Sequence, residues 1–180
     1  IRFNLDILRP HHDEILVLAG DHIYKMDYGP LLSIHRRQAA DLTMAVYSVP
    51  RVEAHRFGMV AMDSDGRVVD FEEKPRRPRS SLASMGVYVF KRAVLQDWLL
   101  ETGKSAHDLG RDVIGPMVKD LRAYAYHFHG YWADAGTIQA YYEANMSLLT
   151  ETPALDLYDQ DWVIHTQSEQ RPAALVGEEA

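Results

Sequence analysis

The first clear pattern in the chain is a short, unbroken apolar run that ends in a glycine and a carboxylate. Residues 15–19 are all apolar, and Gly20 and Asp21 follow directly. A run of this length, bounded by turn residues, is typical of a buried central strand in a parallel sheet. Apolar residues then recur at helical spacing over residues 28–40, and residues 42–49 form a second strand-like run. This order predicts a β-α-β unit and therefore an α/β fold.

A different, strand-rich pattern begins after residue 56. Residues 57–62 and 67–72 flank an Asp-Ser-Asp-Gly segment at residues 63–66. Because tight turns favour these residue types, the three segments together predict a β-hairpin. Pro116 interrupts a later helical pattern and is expected to kink or split that helix. The remaining patterns predict two strands, over residues 83–90 and 123–128, and three helices, over residues 92–100, 108–121 and 137–149.

Composition narrows the class of protein. The chain has 180 residues, 47% of them hydrophobic and 25% charged, which suits one compact domain with a sizeable core. The net charge of −7 argues against a nucleic-acid binder, and no apolar run approaches the length of a membrane span. The absence of cysteine excludes a disulfide scaffold, a thiolate zinc site and a cysteine nucleophile. We expect a cytoplasmic protein that binds neither nucleic acid nor membrane.

The strongest candidate for chemistry in the first half of the chain is Asp21, directly after the first predicted strand. In open α/β sheets, ligands bind beyond the carboxyl ends of the strands, and Gly20 would let a ligand approach the backbone. A carboxylate in this position can hold Mg²⁺ on a polyphosphate. The alternative is a turn aspartate that caps the following helix, and spacing alone leaves both interpretations open.

Two later segments add candidates. Glu73 and Lys74 close the predicted hairpin, where a lysine could bind a phosphate and a carboxylate could accept hydrogen bonds from sugar hydroxyls. The commoner role of such a pair is a solvated surface cluster. Asp134 precedes a predicted helix and could complete a two-carboxylate Mg²⁺ site with Asp21, although it could equally cap that helix.

Other chemistries have weaker support. The nine histidines include the pairs 11–12 and 127/129, for which structural or exposed roles are favoured over a zinc site. Ser84 lacks the strand-turn-helix pattern of a nucleophile elbow, so hydrolase chemistry is not expected.

Read in order, these segments resemble the signature segments of one enzyme family. They are residues 18–28 (LAGDHIYKMDY), 57–58 (FG), 71–75 (FEEKP), 81–90 (SLASMGVYVF), 107–112 (HDLGRD), 131–137 (YWADAGT), 155–158 (LDLY) and Trp162. Over nearly its whole length the chain is similar to the ADP-glucose pyrophosphorylases, that is, the glucose-1-phosphate adenylyltransferases. The long segments are specific, whereas EKP and WxDxGT are shared more widely by nucleotide-sugar pyrophosphorylases.

The resemblance implies a Rossmann-like nucleotidyltransferase domain with a mostly parallel sheet, a β-hairpin insertion and an incomplete N-terminus. It implies three catalytic residues: Asp21 and Asp134, which would bind the catalytic Mg²⁺, and Lys74, which would bind the phosphate of glucose 1-phosphate. The other sugar-site residues that it implies are Gly58, Glu73, Ser84, Tyr88, Trp132 and Asp108.

The implied reaction transfers an adenylyl group from ATP to glucose 1-phosphate, giving ADP-glucose and pyrophosphate for glucan synthesis of the glycogen or starch type. No protein nucleophile is needed, because positioning and charge stabilisation supply most of the catalysis in such transfers. The family resemblance also implies a homo-oligomer, a tetramer.

The sequence departs from the family at both ends. It has no segment resembling the family's Gly-rich triphosphate loop, and residues 171–176 resemble the approach to the family's left-handed β-helix. We therefore expect residues 1–150 to be a partial catalytic domain and residues 151–180 a linker. We also expect the chain to be an internal part of a longer protein, inactive when isolated.

Three alternatives remain at this stage. A related pyrophosphorylase could use UTP or dTTP, because base selectivity would reside largely in the absent loop. A non-catalytic regulatory subunit could share the fold, although intact Asp21, Lys74 and Asp134 argue against a degenerate site. A metal-dependent glycosyltransferase is disfavoured, since no Asp-x-Asp lies at a predicted strand end.

Overall fold

The computed structural model describes residues 12–101 and 108–165. Their helices are α1 (Gly29–Arg37), α2 (Arg92–Glu101), α3 (Gly115–Asp120) and α4 (Ile138–Ser147). Their strands are β1 (Glu14–Leu18), β2 (His22–Tyr24), β3 (Leu42–Ser48), β4 (Gly58–Met62), β5 (Val68–Glu73), β6 (Leu82–Lys91), β7 (Ala123–His127) and β8 (Trp132–Asp134). The mixture confirms the predicted α/β class.

Strand β6 organises the larger of two sheets. It is the longest strand, at ten residues, and pairs with β3 along one edge. Its other edge is shared by β1, beside residues 87–91, and by β4, beside residues 82–83. The order β5-β4-β6-β3-β7 completes this sheet, while β2 and β8 form a separate two-stranded ribbon.

The larger sheet is mixed in direction. Strands β1, β3 and β4 all pair antiparallel with β6, β5 pairs antiparallel with β4, and β7 pairs parallel with β3. Four of the six strands therefore share one direction, but only β3 and β7 are parallel neighbours. The predicted β-α-β unit is present, with β6 inserted between its two strands.

Two hydrophobic layers cover the two faces of this sheet. On β6, Met85, Val87 and Val89 point into the layer that contains Leu31 of α1. Tyr88 and Phe90 point into the opposite layer, which contains side chains of α2 and α3. The alternation follows from the period-2 geometry of a strand, so β6 is covered on both faces.

The predictions for the hairpin and the helices are confirmed. Strands β4 and β5 form the hairpin, and helical structure covers the three later patterns. The pattern over residues 108–121 is divided into a π-helical turn, Leu109–Ile114, and α3, in whose first turn Pro116 lies. Proline fits there because the first turn of a helix leaves its backbone N–H groups unpaired.

The prediction that β1 is a central strand is wrong for the described residues. There β1 pairs only with β6, and Leu16 and Leu18 are 37% and 44% exposed. An apolar run predicts a strand, but it does not reveal how many neighbours cover it. Residues 152–165 form bends and irregular structure without a helix or strand, and the segment 171–176 lies outside the described residues.

No helix in the described part of the chain is both long and apolar enough to cross a membrane.

Phe90 offers a test of the central role of β6. It is fully buried, and Phe90→Ala should lower the free energy of unfolding by about 3–5 kcal/mol through lost burial and a cavity. Urea denaturation measures this loss. Val69→Ala, on the exposed face of β5, is the control and should cost less than about 1 kcal/mol. Equal losses in the two variants would contradict the packing described here.

Candidate active site

The β2–β8 ribbon brings together two segments that are far apart in sequence. His22 of β2 pairs with Asp134 of β8, and Tyr24 pairs with Trp132. Just beyond the ribbon, the backbone N–H of Ala135 donates to the carbonyl oxygen of Asp21 at 3.3 Å. Each strand has only three residues, yet the pairing fixes the main chain of Asp21 beside that of Asp134.

The Nε2 atom of the His22 ring approaches both carboxylates. Its Nδ1 is 2.7 Å from the carbonyl oxygen of Met85, and its Nε2 is 3.7 Å from Oδ1 of both Asp21 and Asp134. Trp132 packs edge-on against the ring with centroids 5.3 Å apart. Both aspartates therefore face the same small volume next to Nε2.

Neither aspartate serves as a helix cap. Helix α1 begins after Tyr28 without a side-chain cap, and α4 is capped by the Thr137 hydroxyl, which accepts from the N–H of Ala140. The Asp134 carboxylate is instead held at both oxygens. Oδ1 accepts from the N–H of Gly136 at 3.0 Å, and Oδ2 accepts from Nη2 of Arg56 at 2.7 Å.

The β4–β5 hairpin places Glu73 and Lys74 at the same site. Gly58 pairs with Glu73 across the hairpin, and the N–H of Lys74 donates to the carbonyl oxygen of Phe57 at 3.0 Å. Lys74 has a φ of 50°, in the left-handed region that non-glycine residues rarely adopt. No ion pair engages the Lys74 ammonium within residues 12–101 and 108–165.

Glycines allow the Glu73 carboxylate to lie close to two backbone segments. A Cβ on Gly58 would be 2.9 Å from Glu73 Oε2, and a Cβ on Gly110 would be 2.5 Å from the same oxygen. Partial burial raises the pKa of the Glu73 carboxyl, the charge of Asp108 raises it further, and Lys74 and Arg111 oppose the increase. The carboxylate is thus held in an environment that disfavours its charge.

Strand β6 contributes two hydroxyls. Ser84 Oγ and Tyr88 Oη lie 2.8 Å apart, and both side chains are buried. Burial raises the pKa of the Tyr88 phenol to about 12, so this group is a neutral hydrogen-bonding partner at pH 7. Between them, Gly86 has a φ of 68°, and a Cβ there would lie 2.7 Å from the Cβ of Ala19. Glycine therefore permits the end of β1 and His22 to approach β6.

All but one of the predicted site residues line a single cavity of about 590 Å³, here called the central cavity. Those residues are Asp21, Gly58, Glu73, Lys74, Ser84, Tyr88, Asp108 and Asp134. The exception is Trp132, which is buried and lines a neighbouring cavity of about 320 Å³. Trp132 contacts the rings of His22, Tyr47 and Phe57, so it packs against two lining residues, His22 and Phe57, from outside the central cavity.

Asp108 lines the cavity through the start of the π-helical turn. Its carboxylate accepts from the N–H of Arg111 at 2.7 Å, which is the bond of a helix N-cap. The same position places its negative charge near Glu73 and Tyr88, whose pKa values it helps to raise.

Half of the lining residues were not predicted from the sequence, and three of them, His22, Arg56 and Gly110, contact or closely approach a predicted carboxylate. His22 adjoins Asp21 within a specific segment, so proximity in sequence could have indicated it. The same holds for Gly110, two residues from Asp108 in the segment 107–112. Arg56 is 78 residues from Asp134, the carboxylate that it contacts. Only the tertiary fold brings that pair together.

The histidines at residues 127 and 129 lie side by side on and just beyond β7. The two rings are 4.4 Å apart, and Nε2 of His127 is 3.0 Å from the hydroxyl of Ser48. Burial and the neighbouring ring lower the pKa of His127. Neither residue lines the central cavity.

Comparison with known proteins agrees with this architecture. Residues 1–151 match the model of the nucleotidyl transferase family. A glucose-1-phosphate adenylyltransferase from Thermomicrobium roseum is 53% identical over 96% of this chain and 41% of its own length. Proteins of the same name from Methylobacillus flagellatus and Thermotoga neapolitana are 47% and 46% identical, over 95% and 98% of this chain and 45% and 43% of their own lengths.

The chain belongs to the nucleotidyl transferase family, because the family model covers most of its length. It spans less than half the length of these three relatives.

Glu73 provides a pH-dependent test of the site's electrostatics. Because its pKa is higher in the folded than in the unfolded chain, stability falls as pH rises through the raised value, and the loss is complete above it. Glu73→Gln should therefore raise Tm at pH 7. The difference from the wild type should vanish below the unfolded pKa of about 4.3.

Thermal unfolding across this pH range measures the effect, with Glu72→Gln, the exposed neighbour on β5, as the control. A Tm increase in Glu73→Gln that does not change with pH, or a decrease at pH 7, would contradict the conclusion that burial raises the pKa of Glu73.

Proposed function

We propose that this chain forms the sugar-phosphate and metal half of an active site that transfers an adenylyl group from ATP to glucose 1-phosphate. The observation that carries the proposal is the convergence of Asp21, Lys74 and Asp134 on one cavity, together with carboxylate and hydroxyl groups suited to a sugar. The printed name of the relatives, glucose-1-phosphate adenylyltransferase, supports this choice of reaction and substrates.

The donor set near His22 fits Mg²⁺. Asp21 and Asp134 offer carboxylate oxygens on the same side of the cavity, and oxygen ligands suit a hard cation. Among the described residues, no group of three or more His, Asp or Glu side chains is arranged to hold an ion alone. Mg²⁺ is commonly bound through one or two carboxylates and takes further oxygens from substrate phosphates. When bound, the ion would neutralise phosphate charge.

Lys74 is the proposed contact for the phosphate of glucose 1-phosphate. Its ammonium makes no ion pair with the described residues, so its charge is free to meet a ligand. Its left-handed backbone is held by the hydrogen bond that its N–H donates to the carbonyl oxygen of Phe57. Strained backbone conformations of this kind occur where surrounding structure maintains a functional geometry.

The other end of the cavity suits the sugar ring. The Glu73 carboxylate can accept hydrogen bonds from two hydroxyls, and Gly58 allows a ligand to approach the backbone beside it. Ser84 and Tyr88 add neutral hydroxyls that can donate or accept. The cost of holding Glu73 partly desolvated is offset when sugar hydroxyls donate to it.

The chemistry requires no nucleophile from the chain. An oxygen of the sugar phosphate attacks the α-phosphorus of ATP, a new P–O bond forms, and pyrophosphate leaves. The residues described here would orient that oxygen and stabilise the charge around it, which are the main sources of catalysis in phosphoryl-type transfers. We further propose a cytoplasmic homo-oligomer, on family resemblance.

Kinetics of pyrophosphate release from the complete gene product test the roles of Lys74 and Asp134. Lys74→Ala should mainly raise the apparent KM for glucose 1-phosphate, because it removes a ground-state phosphate contact. Asp134→Ala should mainly lower kcat, by about 100-fold or more, because charge stabilisation in the transition state is lost.

Lys119→Ala, on the exposed end of α3, is the control and should change neither constant. The assay should compare ATP, UTP and dTTP as nucleotide substrates. Unchanged kinetics in both site variants would contradict the site, and a preference for UTP or dTTP would contradict the adenylyl assignment.

A further inference from the structure

One cation in the central cavity has no role in the function proposed above. Arg56 ends a short 3-10 turn, Ala54–Arg56, directly before Phe57 and Gly58. Its side chain lines both the central and the neighbouring cavity. It is only partly exposed, at 27%, so its guanidinium is not a freely moving surface charge.

The contacts of Arg56 are directed at one oxygen of Asp134. Nη2 donates to Oδ2 at 2.7 Å, while Nη1 lies 3.6 Å from a carboxylate oxygen of Glu53. The guanidinium carbon is 5.1 Å from the centre of the Phe57 ring, within the range of a cation–π contact. A planar guanidinium held in this way is a rigid donor.

The rotation of the Asp134 carboxylate is therefore fixed from both sides. With Oδ2 engaged by Arg56, Oδ1 accepts from the N–H of Gly136 and lies 3.7 Å from Nε2 of His22, the atom that Oδ1 of Asp21 approaches equally closely. Oδ1 is therefore the Asp134 oxygen that a cation shared with Asp21 would use.

We propose that Arg56 is a positioning residue for Asp134, which keeps Oδ1 presented to the cation site shared with Asp21. This inference rests on the proposed function, because it assigns Arg56 a role in the metal site suggested there. Groups that hold a ligating carboxylate from outside the metal's own ligands commonly affect metal affinity by about 10- to 100-fold.

The direction in which cation affinity changes when Arg56 is replaced distinguishes a positioning role from a purely electrostatic one. Removing a positive charge next to a carboxylate should strengthen cation binding if electrostatics alone matter. Loss of a positioning contact should weaken it, because the carboxylate gains freedom to rotate that cation binding must then remove.

The test is Mn²⁺ affinity of the complete gene product, measured by calorimetry or by the EPR signal of free Mn²⁺. Arg56→Gln should weaken Mn²⁺ binding about tenfold. Arg51→Gln is the matched control, since it removes the same charge from an exposed arginine in the same loop. Its Mn²⁺ affinity should equal that of the wild type.

Arg56→Lys keeps the charge but loses the planar fork, and it decides the question if the Gln variant does not fold. It should bind Mn²⁺ more weakly than the wild type. In both variants, raising Mn²⁺ should restore kcat while the KM for glucose 1-phosphate stays unchanged, a recovery that general destabilisation would not produce.

Unchanged or tighter Mn²⁺ binding in folded Arg56 variants would overturn the positioning role. Failure of the proposed function itself would be distinguishable, because Asp134→Asn would then leave Mn²⁺ affinity unaltered as well.

Discussion

The site depends on the pairing of two three-residue strands, β2 and β8. This ribbon sets the main chain of Asp21 beside that of Asp134 and brings His22 to within 3.7 Å of both carboxylates. So short a ribbon is not stable alone, since isolated two-stranded pairs are marginal in water. Its stability comes from Trp132, which is buried against aromatic rings, and from the His22 contact with β6. The packing that stabilises the core therefore also fixes the geometry of the site.

Strand β6 links this ribbon to the part of the cavity that Glu73 and Asp108 line. One face of β6 carries Met85, Val87 and Val89 into the layer that contains Trp132, while the other carries Tyr88 toward Glu73 and Asp108. Gly86, whose backbone is left-handed, lies on β6 between Ser84 and Tyr88 and beside His22 of the ribbon. The electrostatic cost of a partly desolvated Glu73 is tolerated because the hydrophobic layers on both faces of the sheet hold it in place, as is common where a site is built for a ligand.

Features with a local signal could be predicted from the sequence. Contacts between residues far apart in the sequence could not. The turn residues at 63–66 and the helix over residues 137–149 were predictable because their signals lie within a few residues. A Mg²⁺ site shared by Asp21 and Asp134 was one of two interpretations open from the residues. The convergence of Lys74 with them could be anticipated only through family resemblance, since propensity carries no information on tertiary contact. Strands of three residues are too short to show a period, and nothing local distinguishes Arg56 from any exposed arginine. The prediction that β1 is a central strand was wrong because an apolar run does not indicate how many strands pair with it.

The central claim is that Asp21 and Asp134 share one cation in the presence of sugar phosphate. Crystals of the complete gene product, grown with Mn²⁺ and glucose 1-phosphate, would test it through the anomalous scattering of manganese. The account predicts one peak within coordination distance, about 2.2 Å, of an oxygen of each aspartate, with the phosphate beside Lys74. A manganese peak that contacts at most one of the two aspartates, together with a phosphate remote from Lys74, would contradict it.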